Sequence, residues 1–362
     1  AHLMRRLEAG EGDDLLSAVT LRGEVVVEGH SVGHIEGFGF VPDPDAAGDE
    51  KKLVLRAARR ALRAEMPRRV TLLENAPDDG FAWTPEHALT WGGTPVGRLL
   101  RGTTALRPRV QVLDSEFLDG AERERVRRRL QAWVDAQVRR DLAPLFAAEA
   151  AAQDKPALRG PLHRLSESLG LIPGLDEETL APDIRQALKA LGVRSGRFAL
   201  FIPALLKPRA NATRMRLWSL FHGIATPDLP NAALVSLPPN PSAWPSGYAT
   251  AAGWIEAGPI LLRLDIAEKI AGELGYRARR GPATIPAGLA SRFAIKPDML
   301  PAVLRRLGFR VLPALGLAPG EHGPPAPAML LPLRRRKPQA EVPPPAPIRA
   351  TGPFAALAAL RR

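Results

Sequence analysis

The chain contains no cysteine. That excludes disulfides, thiolate zinc sites and cysteine nucleophiles, and it fits a cytoplasmic protein. No stretch reaches the roughly 18 consecutive apolar residues of a membrane span, so no membrane partner is expected. The opening Ala1-His2-Leu3-Met4-Arg5-Arg6 lacks an apolar core of signal-peptide length, and a start at Ala1 is what a fragment or a processed product would show. There is no GxxxxGK[ST] phosphate loop, no acidic Walker-B strand and no GxSxG elbow, so no catalytic residue is assigned and no ATPase motor fits. Lysine is scarce as well. Of 50 basic residues eight are lysine, which leaves 42 arginines.

What is present is a strongly basic chain of 362 residues with net charge +12. Its length predicts two or three domains. Guanidinium forks suit phosphates and stack on bases, so the arginine excess points to nucleic acid. A biased genomic base composition, which inflates Ala, Arg, Gly and Pro together, accounts for the arginine count equally well. It explains less well why acidic residues do not offset the charge.

The hydropathy pattern predicts an α+β, multidomain protein. Residues 1–18 read as the end of a preceding helix. A β-rich module is expected over 19–118, and a helical domain with one short strand over 119–225. A Pro-rich loop followed by a helix-turn-helix-like domain is expected over 226–312. A Pro-rich disordered tail with a basic knot, Arg334-Arg335-Arg336-Lys337, and a short terminal amphipathic segment is expected over 313–362. Within the first module, residues 49–66 read as an amphipathic helix on the stripe Leu53, Leu55, Ala58 and Leu62, stopped by Pro67. Short strands are expected after it at 69–74, 87–102 and 107–114. A second helix is expected over 120–147 and another over 258–278, ended by Gly275. An internal echo links Gly29, Val32, Gly33 and Ile35 to Gly93, Val96, Gly97 and Leu99, always 64 residues apart, and predicts two similar hairpins.

Several segments raise chemical questions. His30 and His34 lie four apart in a β-like segment, where their side chains stand about 13 Å apart, too far to share one metal. No metal site and no cofactor-binding residue is assigned. The glycines of "GHIEGFGF" do not form a dinucleotide fingerprint. Phe38 and Phe40 share one face if extended, and read either as core or as a platform for stacked bases. On the 120–147 helix, Val126, Leu130, Trp133, Val134 and Val138 line one face, while Arg127, Arg128, Arg139 and Arg140 lie mostly on the other. Those arginines read as a solvated surface or as a basic rail for a strand. The segment with first helix Ala287–Phe293 and second helix Pro297–Leu307 places Arg292, Lys296, Arg305 and Arg306 as candidate phosphate contacts.

The segments "VEGHSVGHIEGFGFVPD", "GVRSGRFALFIPALLKPRA", "RLWSLFHG", "RLDIAEKIA" and "PFAALAALRR" together resemble the region after the motor of bacterial superfamily II helicases related to the mitochondrial degradosome RNA helicase. The resemblance runs from about residue 19 onward. It implies a nucleic-acid-binding accessory region of an ATP-dependent helicase, RNA more than DNA, guiding the strand that leaves the motor. ATP and magnesium are implied only for the motor domains, whose motifs have no counterpart here, so this chain alone is expected to be inactive. A rival expectation is a scaffold that docks the helicase to a nuclease or ribosomal partner through the Pro-rich tail.

Overall fold

The computed structural model describes residues 18–21, 24–43, 50–152, 155–174, 180–241, 244–317, 320, 322–324 and 326–333. The expectations for residues 1–17, for the basic knot at 334–337 and for the terminal segment lie outside these residues. The fold is α+β, with five antiparallel sheets among the described residues and the helices packed around them.

The echo in the sequence is a structural duplication. The first sheet runs β1 (Ala18–Leu21), β2 (Glu24–Val27), β3 (His30–Glu36) and β4 (Gly39–Pro42), in that order, and helix α1 (Glu50–Asn75) follows it. The second runs β5 (Phe81–Trp83), β6 (Ala88–Trp91), β7 (Thr94–Leu100) and β8 (Arg109–Val112), and helix α2 (Gly120–Asp141) follows it. The pairs Glu24–His34, Val25–Gly33, Val26–Ser31 and Val27–His30 recur 64 residues later as Ala88–Arg98, Leu89–Gly97, Thr90–Pro95 and Trp91–Thr94. The bulge recurs too, between Val25 and Val26 and between Leu89 and Thr90. Both turns use two residues at positive φ, Glu28-Gly29 and Gly92-Gly93, which matches the twist of the flanking strands. The second glycine of each motif answers to space. A β-carbon at Gly33 would lie 2.3 Å from the Val41 carbonyl oxygen, and one at Gly97 3.0 Å from that of Gln111.

The copies diverge at one place. Strands β3 and β4 are joined by Gly37-Phe38 alone, whereas β7 and β8 are joined by residues 101–108. The short turn is pinned inside the protein: Arg69 Nε donates to the Gly37 carbonyl at 2.6 Å and Ser115 Oγ to the Phe38 carbonyl at 2.5 Å. The long one faces solvent.

Two sequence expectations fail in α1. Pro67 does not stop the helix, and residues 69–74 are helix rather than strand. Leu62, Met66, Val70 and Leu73 are fully buried at helical spacing, and this packing outweighs the hydrogen bond that proline removes. In the next helix Asp119 and Glu122 form a reciprocal capping box, with Asp119 Oδ1 accepting from the Glu122 amide at 2.7 Å. The 120–147 helix breaks at Leu142, and α3 (Ala143–Ala152) continues the chain.

The expected boundary at residue 118 does not divide the core. One apolar cluster runs from Val25 through Val126, Leu130 and Val138 to Leu220. It takes in residues of α4 (Pro156–Glu167), β9 (Leu171–Pro173), α5 (Pro182–Ala190), β11 (Ala199–Phe201) and α6 (Pro208–His222), with β10 (Arg194–Ser195) pairing β11 at the edge. Helix α6 ends on Gly223 in the left-handed conformation. The irregular stretch after it packs through Trp244 and Tyr248, as expected, and leads through β12 (Ser236–Leu237) and α7 (Tyr248–Ala251) to the hairpin β13 (Trp254–Glu256) and β14 (Leu261–Arg263).

The C-terminal unit has its own core around Ile270, Phe293, Leu304, Phe309 and Leu330. Helix α8 (Leu264–Arg277) starts later than expected and runs through Gly275. It is followed by β15 (Ala283–Thr284), α9 (Leu289–Arg292), α10 (Leu300–Arg306), β16 (Phe309–Leu312) and β17 (Met329–Pro332). The sheet order is β15-β17-β16, a β-hairpin with a long tip beside two helices shorter than expected, one of four residues and one of seven. The tail expected to be disordered from 313 onward therefore contributes a central strand: Leu330 is fully buried, and that burial holds the strand in place. Glu268 joins the two cores. Its buried carboxylate accepts from the main-chain amides of Arg197 and Phe198, both at 2.8 Å.

His87 ties β6 to the chain after α6. Its Nε2 donates to the Ile224 carbonyl at 2.7 Å, and its Nδ1 faces Trp83 Nε1 at 3.4 Å. Burial pushes its pKa below the usual imidazole value. The unfolded chain then takes up a proton more readily than the folded one below pH about 6.5. This contribution to stability is present above that pH and is lost as pH falls through it. Urea unfolding at pH 7.5 and pH 5 should show that loss, and His87→Asn, which tolerates the positive φ at this position, should remove part of it.

Candidate nucleic-acid interface

The arginines of α2 fall into two groups. The first is structural. Arg125 makes a bidentate pair with Glu74 of α1, at 3.0 and 2.5 Å. Arg129 donates to the carbonyls of Glu74 and Ala76 at 3.2 and 2.8 Å and to Asp78 at 2.9 Å, with its guanidinium over the Phe81 ring. Arg123 reaches Asp114 and the Ser115 carbonyl. Arg125 and Arg129 bind the duplicated halves together, and Arg123 braces the chain between β8 and α2.

The second group faces outward. Arg127 and Arg139 line a recess of about 500 Å³ together with Arg107, Arg109, Gln131, Asp135 and Glu149. Residues 127, 131, 135 and 139 recur at helical spacing, so one face of α2 forms one wall. The opposite wall is the 101–108 loop and the start of β8. Gln131 fastens the two walls: its amide donates to the Pro108 carbonyl at 3.1 Å and its oxygen accepts from the Val110 amide at 3.0 Å. Gly102 pinches the loop shut, since a β-carbon there would fall 1.6 Å from the Arg107 carbonyl oxygen.

Four arginines face two carboxylates in this recess. Asp135 accepts from Gln131 at 2.9 Å, and Glu149 accepts from Ser166 Oγ. Arg127 makes a bidentate pair with Glu124, both contacts at 2.7 Å. The side chains in that pair are 42% and 49% exposed, and such a pair holds its partners weakly. Arg139 lies over the Phe146 ring at 5.6 Å. Arg107 and Arg109 form no ion pair with any described residue. Neither was a sequence candidate. The signal that marks them is the length of the loop in the second copy, six residues more than in the first.

The structure disposes of the other candidates differently. Arg128 and Arg140 are exposed on the neighbouring strip of α2, outside the recess; Arg128 is 3.8 Å from Glu124, and Arg140 donates to Gln137. Phe38 is not a stacking platform: it is 5% exposed and stacks on Trp91, with ring centroids 6.4 Å apart. Phe40 is half-buried against the same core. His30 and His34 are exposed on β3. In the C-terminal unit Arg292 pairs with Glu273 at 2.8 Å. Lys296, Arg305 and Arg306 are exposed and form no ion pair with any described residue, and Arg310 joins them. Lys296 precedes the turn that leads into α10, and Arg305 and Arg306 close that helix, so they mark its two ends.

A second recess, of about 430 Å³, opens on the other side of the 101–108 loop. It is lined by Ala105, Leu169, Leu171, Trp218, Phe221 and His222, with Glu167, Ser168 and Thr250 as polar members. Trp218 and His222 stack with centroids 3.8 Å apart, and Arg101 lies 3.9 Å over Phe221.

No family model, no curated protein and no solved structure matches the chain. Among the described residues, no helix is long and apolar enough to cross a membrane.

The division of the arginines has a measurable consequence. Arg129→Ala should destabilise the fold by about 2 kcal/mol, because it strips two carbonyls and Asp78 of their donor. Arg128→Ala should stay within about 0.5 kcal/mol of the parent. Denaturant midpoints of the two variants check this.

Proposed function

We propose that this chain is the nucleic-acid-binding accessory region of an ATP-dependent helicase and that it holds a single strand leaving the motor. The observation that carries the reading is the recess where Arg107, Arg109, Arg127 and Arg139 converge, three of them in no ion pair with any described residue. Convergent guanidinium groups on a polar wall are what phosphate binding needs. A second basic surface on the C-terminal unit, with Lys296, Arg305, Arg306 and Arg310, supports the same reading, since a helix-turn-helix with free cations around its second helix suits a phosphate backbone. The helicase and the preference for RNA come from the sequence resemblance. ATP and magnesium belong to the motor, and the chain by itself is expected to release no phosphate from ATP when single-stranded RNA is added, as a coupled phosphate assay would record.

The direct test is a salt series of RNA and DNA strand binding. Each phosphate contact adds roughly 0.7 to the slope of log K against log salt. Arg107→Ala combined with Arg109→Ala should therefore flatten the slope by about 1.4 and weaken all sequences alike. An unchanged slope would remove the recess from the strand path. Absence of strand binding at low salt would favour the scaffold that docks a nuclease or ribosomal partner.

A further inference from the structure

We infer that the apolar recess beside the 101–108 loop is a base pocket, which takes one unstacked nucleobase of the strand whose phosphates lie in the arginine recess. The inference rests on the nucleic-acid reading above and adds to it what the strand's bases do.

Four observations carry it. The two recesses share one loop: Thr103, Leu106 and Arg107 line the arginine side, and Ala105 lines the apolar side. The loop exists only in the second copy of the duplicated sheet, so it is not needed to build that sheet. Sheet, bulge and turn are complete in the first copy with two residues in its place. The lining is aromatic and graded in exposure: Trp218 is half-buried, and the exposed His222 ring lies on it at an interplanar angle of 23°. His222 Nδ1 is held by the Trp218 carbonyl at 2.8 Å, so the imidazole stays flat on the indole and leaves its outer face open. Planar π faces beside a cation are the shared feature of sites that hold single-stranded bases without strict sequence preference.

Charge argues for a nucleotide over an apolar peptide. Arg101, exposed and with no ion pair among the described residues, lies over the ring of Phe221, which lines the recess. Arg214 lies fully buried below the recess, where its only described partners are the Leu169 and Ala251 carbonyls and the Asn211 side chain. Leu169 and Ala251 themselves line the recess. One carboxylate, Glu167, is at the lining. The surroundings are therefore positive on balance, which suits a ring that carries a phosphate on either side. Ser168 and Thr250 offer hydroxyls to the base edge.

The experiment compares a fluorescein-labelled oligouridylate with an abasic strand of equal length and charge, bound to the full chain at one salt concentration and then across a salt series. The parent should bind the intact strand roughly 5- to 100-fold more tightly than the abasic one, with the same salt slope for both. Phe221→Ala and Thr250→Trp, the second of which fills the recess without removing a ring, should each abolish that preference and leave the slope unchanged. An unfolding midpoint for each variant shows that it is folded. Equal binding of the two strands by the parent, with Arg107→Ala and Arg109→Ala still weakening both, would overturn the base pocket and leave the nucleic-acid reading standing. A preference for intact RNA that survives both variants would place the bases elsewhere and likewise overturn it. Failure of the parent to bind either strand would overturn the nucleic-acid reading and the pocket with it.

Discussion

The Arg214 guanidinium is a charge buried without a carboxylate, and the surroundings of the apolar recess depend on how it is satisfied. It donates to the Leu169 carbonyl at 2.6 Å, to Asn211 Oδ1 at 2.7 Å and to the Ala251 carbonyl at 2.9 Å. Burial lowers its pKa to about 10, so it remains protonated at neutral pH. An ion in that position is tolerated only while its donors keep their acceptors, and so it fixes the ends of α4 and α7 against α6. Leu169 accordingly adopts positive φ, and Gly170 beside it has no room for a β-carbon, which would fall 2.2 Å from Leu205 Cδ1.

The duplicated sheets show how one architecture serves two ends. In both copies, glycine at the bulge lets neighbouring backbone approach, and valine and leucine at matching positions fill the core. The first copy spends its β3–β4 turn on packing. A β-carbon on Gly37 would lie 2.7 Å from the Pro95 carbonyl oxygen, so this turn sits directly on the second sheet. The second copy's equivalent connection is the longer 101–108 loop, which packs Ala105 and Leu106 on the core and is fastened to α2 at Pro108. Its two sides border different recesses: Thr103, Leu106 and Arg107 line the one beside α2, and Ala105 lines the one beside α6, where Arg101 lies over Phe221.

Net charge alone would place arginines anywhere, but the fold sorts them. Arg125 and Arg129 fasten α2 to α1 and to the chain leading into β5, and Arg197 reaches the Gly308 carbonyl at 3.2 Å and lies over Phe309 in the C-terminal unit. These guanidinium groups work as planar multiple donors to carbonyls and rings, a use that lysine could not match. Among the arginines that remain, four converge on one recess and three stand around the second helix of the C-terminal unit, with others scattered over the surface.

The sequence by itself determined the α+β class, the duplication and the long apolar face of α2, because these rest on periodicity and on glycine, which act over neighbouring residues. It could not show that Pro67 lies within a helix, since the burial of Met66, Val70 and Leu73 that carries the helix past it is a tertiary contact. For the same reason Phe38 could read as a platform until Trp91, distant in the chain, was seen stacked on it. Of the proposed arginine site, Arg127 and Arg139 were legible from helical spacing. Arg107 and Arg109 were not, because a loop residue has no periodicity and its partners across the recess are chosen only when the loop is fastened to α2 through Gln131. The aromatic recess was wholly a product of tertiary structure: Ala105, Leu169, Trp218 and Thr250 come from four separate segments, and only the packing of those segments around Arg214 brings them to one place.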